Sequence, residues 1–242
     1  MSDGPQEGSI FEDLPGGPPP ELLKYARRME ELRRAGGVPA ELMYKIFCIR
    51  DGEVRRFEHP DVWESQVTGA HPRLAVAPAK GHVLLMLGLL RCLPGPYQIL
   101  YVLVVPLRAA EPGRYQCPET LDFDEVERFL TEYRDFLESD GRHNIWVRSA
   151  SGAGQLVYDR HNIIYAYGRA PWALGRRAGP PRPLACFKQV LRARGLTEGR
   201  IALPVPHGHE YHPEYHDSEE RIMKRWKWLA GPLVEPTDVD GG

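Results

Sequence analysis

The sequence predicts an α+β fold: a mixed, mainly antiparallel sheet of about five strands packed with helices and preceded by a helical N-terminal region. Three observations carry this. YQILYVLVVPL (97–107) is rich in β-branched and aromatic residues, as a buried central strand requires. LDFDEVERFLTEYRDFLESDG (121–141) sets Val126, Phe129, Leu130, Tyr133, Phe136 and Leu137 on one helical stripe. NIWVRS (144–149), QLVYD (155–159) and NIIYAYG (162–168) are short strand-like runs separated by turn residues.

Taken in order, residues 1–18 are rich in Gly, Pro and acids and predict a flexible tail, as do residues 234–242. Residues 19–233 are expected to form a single domain, since no long flexible linker interrupts them. PPELLKYARRMEELRRAGG places Leu22, Ala26, Met29 and Leu32 on one face and ends at Gly36–Gly37, the pattern of an amphipathic helix with a glycine cap. PAELMYKIFCI (39–49) starts as a helix would and ends as a strand would. A Pro- and His-containing connection leads to HVLLMLGLLRCL (82–93), about a dozen apolar residues against the ~20 needed to cross a bilayer, so it predicts a buried helix.

The 121–141 helix between two strands suggests a right-handed crossover joining parallel neighbours. SASGAG (149–154) and DRHN (159–162) have turn composition, the second with Asp159 at its first position. LACFKQVLRARG (184–195) reads as a helix and GRIALPV (199–205) as a strand. SEERIMKRWKWL (218–229) reads as a last helix, with Asp217 and Glu220 spaced as a capping pair.

Composition narrows function. The net charge of −2 offers no field to recruit nucleic acid or an anionic membrane, so neither partner is expected. The loop of Arg169, Arg176, Arg177 and Arg182 around Trp172 could grip phosphates and stack a base, but a solvated connector is the expected reading. Cys48, Cys92, Cys117 and Cys186 lie far apart with no C-x-x-C, which predicts free thiols. With an N-terminus that has neither a basic start nor an apolar run, this predicts a cytoplasmic address. No phosphate-binding glycine loop, dinucleotide fingerprint or nucleophile elbow occurs.

The histidines hold what chemistry there is. PHGHEYHPEYHD (206–217) carries four of the nine. His207 and His209 alternate, so an extended chain would turn both to one side, where His212 or His216 could complete a tetrahedral zinc or other transition-metal site. A polar loop whose Tyr211 and Tyr215 pack is the competing reading. The i, i+2, i+5 spacing of His207, His209 and His212 is similar to that of the H-x-H-x-D-H motif of metallo-β-lactamase-like hydrolases. Tyr211 replaces the motif's acid, and the 30 residues after His212 are too few for that family's second half, so no role is carried over.

A second pair comes from the repeat RHNIW and RHNII. A hairpin centred on Gly152 would set His143 beside His161, as acid and base or as two ligands, and a shift of one residue is expected to leave them near neighbours. Two functions follow as expectations. One is a non-catalytic domain of regulatory or inhibitor type that binds a protein partner. The other is a metal-dependent hydrolase or metal-binding protein with Glu210 or Glu214 as the base.

Overall fold

The computed structural model describes residues 17–69, 71–106, 110–168 and 182–234. The expected Arg-rich loop with Trp172, and nearly all of both expected tails, lie outside these residues. In chain order the elements are α1 (Pro20–Arg34), β1 (Ile46–Arg50), β2 (Glu53–Arg56), β3 (Val62–Thr68), β4 (His71–Ala77) and α2 (His82–Leu90). Next come β5 (Tyr97–Leu103), β6 (Gly113–Gln116), α3 (Phe123–Glu132), α4 (Arg134–Ser139), β7 (His143–Ser149), β8 (Gln155–Tyr158) and β9 (Ile164–Tyr167). The chain ends with α5 (Arg182–Ala193), β10 (Thr197–Glu198), β11 (His207–His209), α6 (His216–Arg225) and β12 (Leu229–Gly231).

The fold is α+β, with more strands than the five expected. Nine form one sheet in the order β10-β3-β4-β9-β8-β7-β5-β6-β12, and three form a small sheet, β11-β1-β2. Half of the additional strands, β1 to β4, lie in 46–77, where the polar outer faces of β2 and β3 hide the strand pattern; the others, β6, β10, β11 and β12, are only two to four residues long. Only β10 runs parallel to its neighbour, β3. The crossover expected between β5 and β7 is absent: the two pair antiparallel, because β6 reverses the chain before α3 begins. Residues 199–205 form no strand. Pro204 lies within that segment and Pro206 follows it, and proline cannot donate to a ladder.

α3 shows how sequence and packing agree. Asp122 accepts from the Glu125 backbone N–H at 2.8 Å, while the Glu125 side chain accepts from the Asp122 N–H at 2.8 Å, a closed capping box. Val126, Phe129 and Leu130 are fully buried, each contributing about 1.5–3 kcal/mol of apolar burial. Asp217 does not hold the cap of α6; Tyr215 occupies the N-cap position, and its side chain makes no cap hydrogen bond.

α2 to α6 cover one face of the large sheet, and their apolar stripes meet Ile99, Tyr101, Ile145, Val147 and Leu156 in the main core. A smaller cluster on the other face gathers Ala75, Ala77, Val157, Tyr165 and Tyr167. α1 closes the small sheet through Leu22, Tyr44 and Phe47. Of the cysteines, Cys48 and Cys117 are free and buried, but Cys92 and Cys186 form a disulfide between the end of α2 and α5. Sequence separation of 94 residues conceals that pairing, which depends on the two helices packing side by side. No described helix is long and apolar enough to cross a membrane.

A candidate three-histidine metal centre

The turn after β8 sets the first ligand. Oδ1 of the fully buried Asp159 accepts from the backbone N–H groups of His161 and Ile163 at 2.9 Å each. This fixes the tight turn that the DRHN composition predicts, with Asn162 in the left-handed region at φ 58°. Oδ2 of the same carboxylate lies 3.1 Å from His161 Nδ1. One acid thus shapes the loop and orients the imidazole.

β11 sets the other two. It pairs antiparallel with β1, with His209 opposite Ile46 and His207 opposite Cys48. Two glycines permit the approach. A Cβ on Gly208 would collide with the Phe47 ring, and one on Gly141 would lie 2.8 Å from His209 Cβ. The Gly141 N–H donates to the Glu210 carbonyl at 2.8 Å, and the Glu210 N–H donates to the Lys45 carbonyl at 3.0 Å. His207 Nδ1 lies 2.8 Å from the Pro204 carbonyl.

His161, His207 and His209 consequently converge, each offering a ring nitrogen within 4.8 Å of the others. Ring centroids are 4.7 Å apart for His161 and His209, 5.7 Å for His161 and His207, and 6.2 Å for His207 and His209. If Nδ1 of His161 and of His207 donates to its oxygen partner, each Nε2 keeps its lone pair for a metal. Among the described residues His209 Nδ1 has no hydrogen-bond partner, and burial, with Arg160 adding to it, holds this imidazole neutral. Zinc–nitrogen bonds of about 2.0–2.1 Å make a tetrahedral edge roughly 3.4 Å long, so the rings would close inward on an ion.

A buried polar network anchors the segment behind this centre. The fully buried Arg142 guanidinium donates to both Asp140 oxygens at 2.8 Å, to Glu219 at 2.7 Å and to the His212 carbonyl at 2.9 Å. Asp140 Oδ2 also accepts from the His212 N–H at 2.7 Å. The network ties β7, the chain after β11 and α6 together.

Compared with models of protein families, with curated proteins and with solved structures, the chain matches none. The functional reading therefore rests on geometry.

The other expected residues lie elsewhere. His212 is fully buried and its Nε2 lies 3.1 Å from the Tyr44 carbonyl, on the α1 side of the segment. His216 begins α6 and is not among the converging histidines. His143 does not meet His161. β7 and β8 pair about a centre between Ser151 and Gly152, with Ile145 opposite Tyr158. That half-residue change from a Gly152 centre slips the register by one and turns His143 to the opposite face from the one expected. It sits in the main core between Tyr101 and Phe136, at 5.6 Å and 4.5 Å, and burial holds it well below the usual histidine range.

Glu210 also faces away, as strand alternation from His209 requires. Its charged neighbours are Arg33 and Asp140, it acts on Tyr25 and Tyr44, and burial raises its pKa to about 8. A raised folded-state pKa favours the protonated form, so this stabilisation is complete below the unfolded pKa of 4.5 and is lost as pH rises through about 8. Glu210→Gln should flatten the fall in stability across that window and leave the variant more stable than the parent at pH 9. Parallel melting curves for the two proteins from pH 5 to 9 would count against this placement.

Asp159, Arg160 and Lys45 went unmarked as site residues in the sequence. Asp159 gave the only signal, through the turn it begins.

Proposed function

We propose that the chain is a metal-binding protein whose His161, His207 and His209 hold a zinc-class ion, with a fourth position left for water, the coordination of a metal-dependent hydrolase. The observation that supports it best is the Asp159–His161 pair beside two further histidines. A carboxylate bonded to one ring nitrogen orients the other toward a metal and raises its donor strength.

When bound, such an ion would lower the pKa of its water to about 7 and polarise a carbonyl or phosphoryl oxygen. Arg160 would bring positive charge to oxygen developing there: it acts on His209, donates to Tyr211 Oη at 2.9 Å, and its Nε has no hydrogen-bond partner among the described residues. Glu210 is not part of this reading, and no other described carboxylate is assigned as the base.

The cytoplasmic expectation rested on four free thiols and on the composition of the N-terminus. With Cys92 and Cys186 bonded, an oxidising compartment fits this reading better. A protein-binding domain is not proposed: Trp172 lies outside the described residues, and the Tyr211 hydroxyl is engaged by Arg160.

Elemental analysis of untagged protein, dialysed against zinc and then buffer, decides the question. One ion per chain is expected, absent from His161→Ala and from the His207→Ala, His209→Ala double variant. An unloaded parent, or a loaded His161→Ala variant, would remove the assignment. Asp159→Asn keeps an oxygen for the two backbone N–H groups but loses the charge behind His161, so zinc affinity in competition titrations should fall roughly 10–100-fold.

A further inference from the structure

A cavity of ≈ 200 Å³ opens behind the Asp159 turn, apart from the three histidines. Its walls come from the residues before β1, the chain after β2, the start of α2, α4 and the β8–β9 turn, and they include Lys45, Arg56, Lys80, His82, Arg134 and Asn162. Glu58 engages Arg56 at 3.0 Å and Lys80 at 3.8 Å, while Glu138 engages Arg134 at 3.5 Å. Apart from Lys45, three cations thus face two carboxylates, which leaves the lining net positive.

Two buried groups there are underused. Lys45 is 1% exposed and its Nζ makes one hydrogen bond, to the Asp159 carbonyl at 3.3 Å. The ammonium otherwise rests on the Tyr158 ring, 4.0 Å from the centroid. An ammonium carries three donors, so the main demand of this group is unmet by protein oxygen. His82 is 5% exposed, stacks on the same Tyr158 ring at 5.3 Å, and its Nε2 has no partner among the described residues. Structural lysines are normally closed by a carboxylate, and none lies within salt-bridge distance here among the described residues.

We infer that this cavity takes a small carbonyl compound bearing an anionic group, and that Lys45 Nζ condenses with its carbonyl carbon to form an imine. The nitrogen lone pair forms the C–N bond, the carbonyl π electrons move to oxygen, and both amine hydrogens leave with that oxygen as water. Nothing is oxidised or reduced. Arg56, Lys80 and Arg134 supply the charge that holds the anion, and the size of the cavity limits the ligand to fewer atoms than sites of 300–1,000 Å³ accept. Burial, against the attraction of Asp159, Asp140 and Glu138, lowers the Lys45 pKa to about 7, which leaves much of the amine unprotonated and nucleophilic.

Glyoxylate with sodium cyanoborohydride tests this on the full chain, because reduction fixes any imine as a stable adduct that peptide mapping locates. The chain has six lysines, and Lys45 is the buried one among them. Lys45 should carry roughly ten-fold more adduct than the mean of the other five at pH 7, since a free amine rather than an ammonium is the nucleophile. The Lys45→Arg variant should lose that adduct while keeping the parent's circular dichroism. Propanal, which is neutral, should label Lys45 less than glyoxylate does. Adduct spread over the other lysines with Lys45 lowest would overturn the proposal. Equal labelling of Lys45 by propanal and glyoxylate would overturn its anionic part. Should Lys45→Arg not fold, the parent protein's adduct distribution alone decides.

Discussion

Replacing Arg142 with methionine should lower the unfolding free energy by roughly 3–5 kcal/mol, seen as a fall in the urea midpoint with little change in slope. Burial disfavours the Arg142 charge, but attraction and hydrogen bonds from Asp140 and Glu219 outweigh it and leave its pKa raised. Both carboxylates are themselves buried, at 0% and 2% side-chain exposure. Removing the guanidinium would strand them and leave the His212 carbonyl without its donor. Most of the loss belongs to uncompensated charge rather than to any large net attraction. The Arg142→Met, Asp140→Asn, Glu219→Gln triple variant should therefore recover part of it. A single substitution costing less than about 1 kcal/mol would mean that the network does not bind β7 and α6 together as described.

Zinc should stabilise the folded chain by about 2.7 kcal/mol when present at a hundred times its dissociation constant, because ligands from distant segments converge only in the fold. His161 reaches the site from the β8–β9 turn, whereas His207 and His209 reach it from β11 of the other sheet. The midpoint of thermal unfolding should therefore rise with zinc and return to its starting value with a chelator. His209→Ala should abolish the rise. His212→Ala should lower the starting midpoint, since it removes a buried ring lying 3.1 Å from the Tyr44 carbonyl, yet keep the increment. An increment that vanished with His212 and survived without His161 would return the metal to the 207–216 segment alone.

Those two histidines show where sequence reasoning stopped. The alternation of His207 and His209 was legible because strand geometry is local: side chains two apart share a face. The Asp159 turn was legible for the same reason, since a carboxylate that accepts from the N–H groups two and four residues on needs no distant partner. Which third histidine joins them was not legible. His212 and His216 are nearer in sequence, but the backbone of His212 is clamped by Asp140 and Arg142, and that holds its ring on the Tyr44 side. The pairing of His143 with His161 failed on one residue of register, a quantity that the turn decides and that composition alone does not specify.

By itself the sequence determined the α+β class, the apolar stripes of α1, α2 and α3, the buried strand β5, and the hairpin strands β7, β8 and β9. Each follows from periodicity and turn chemistry within a dozen or so residues. Only the tertiary structure decided that the strands number nine and three, that β5 and β7 are antiparallel, that Cys92 meets Cys186, and that His161 faces β11. It also decided that Lys45 is buried beside a cavity, with no carboxylate at salt-bridge distance among the described residues. These depend on contacts between segments tens to more than a hundred residues apart, whose free energy comes from packing and desolvation. Local propensity has no bearing on which distant surfaces those terms bring together.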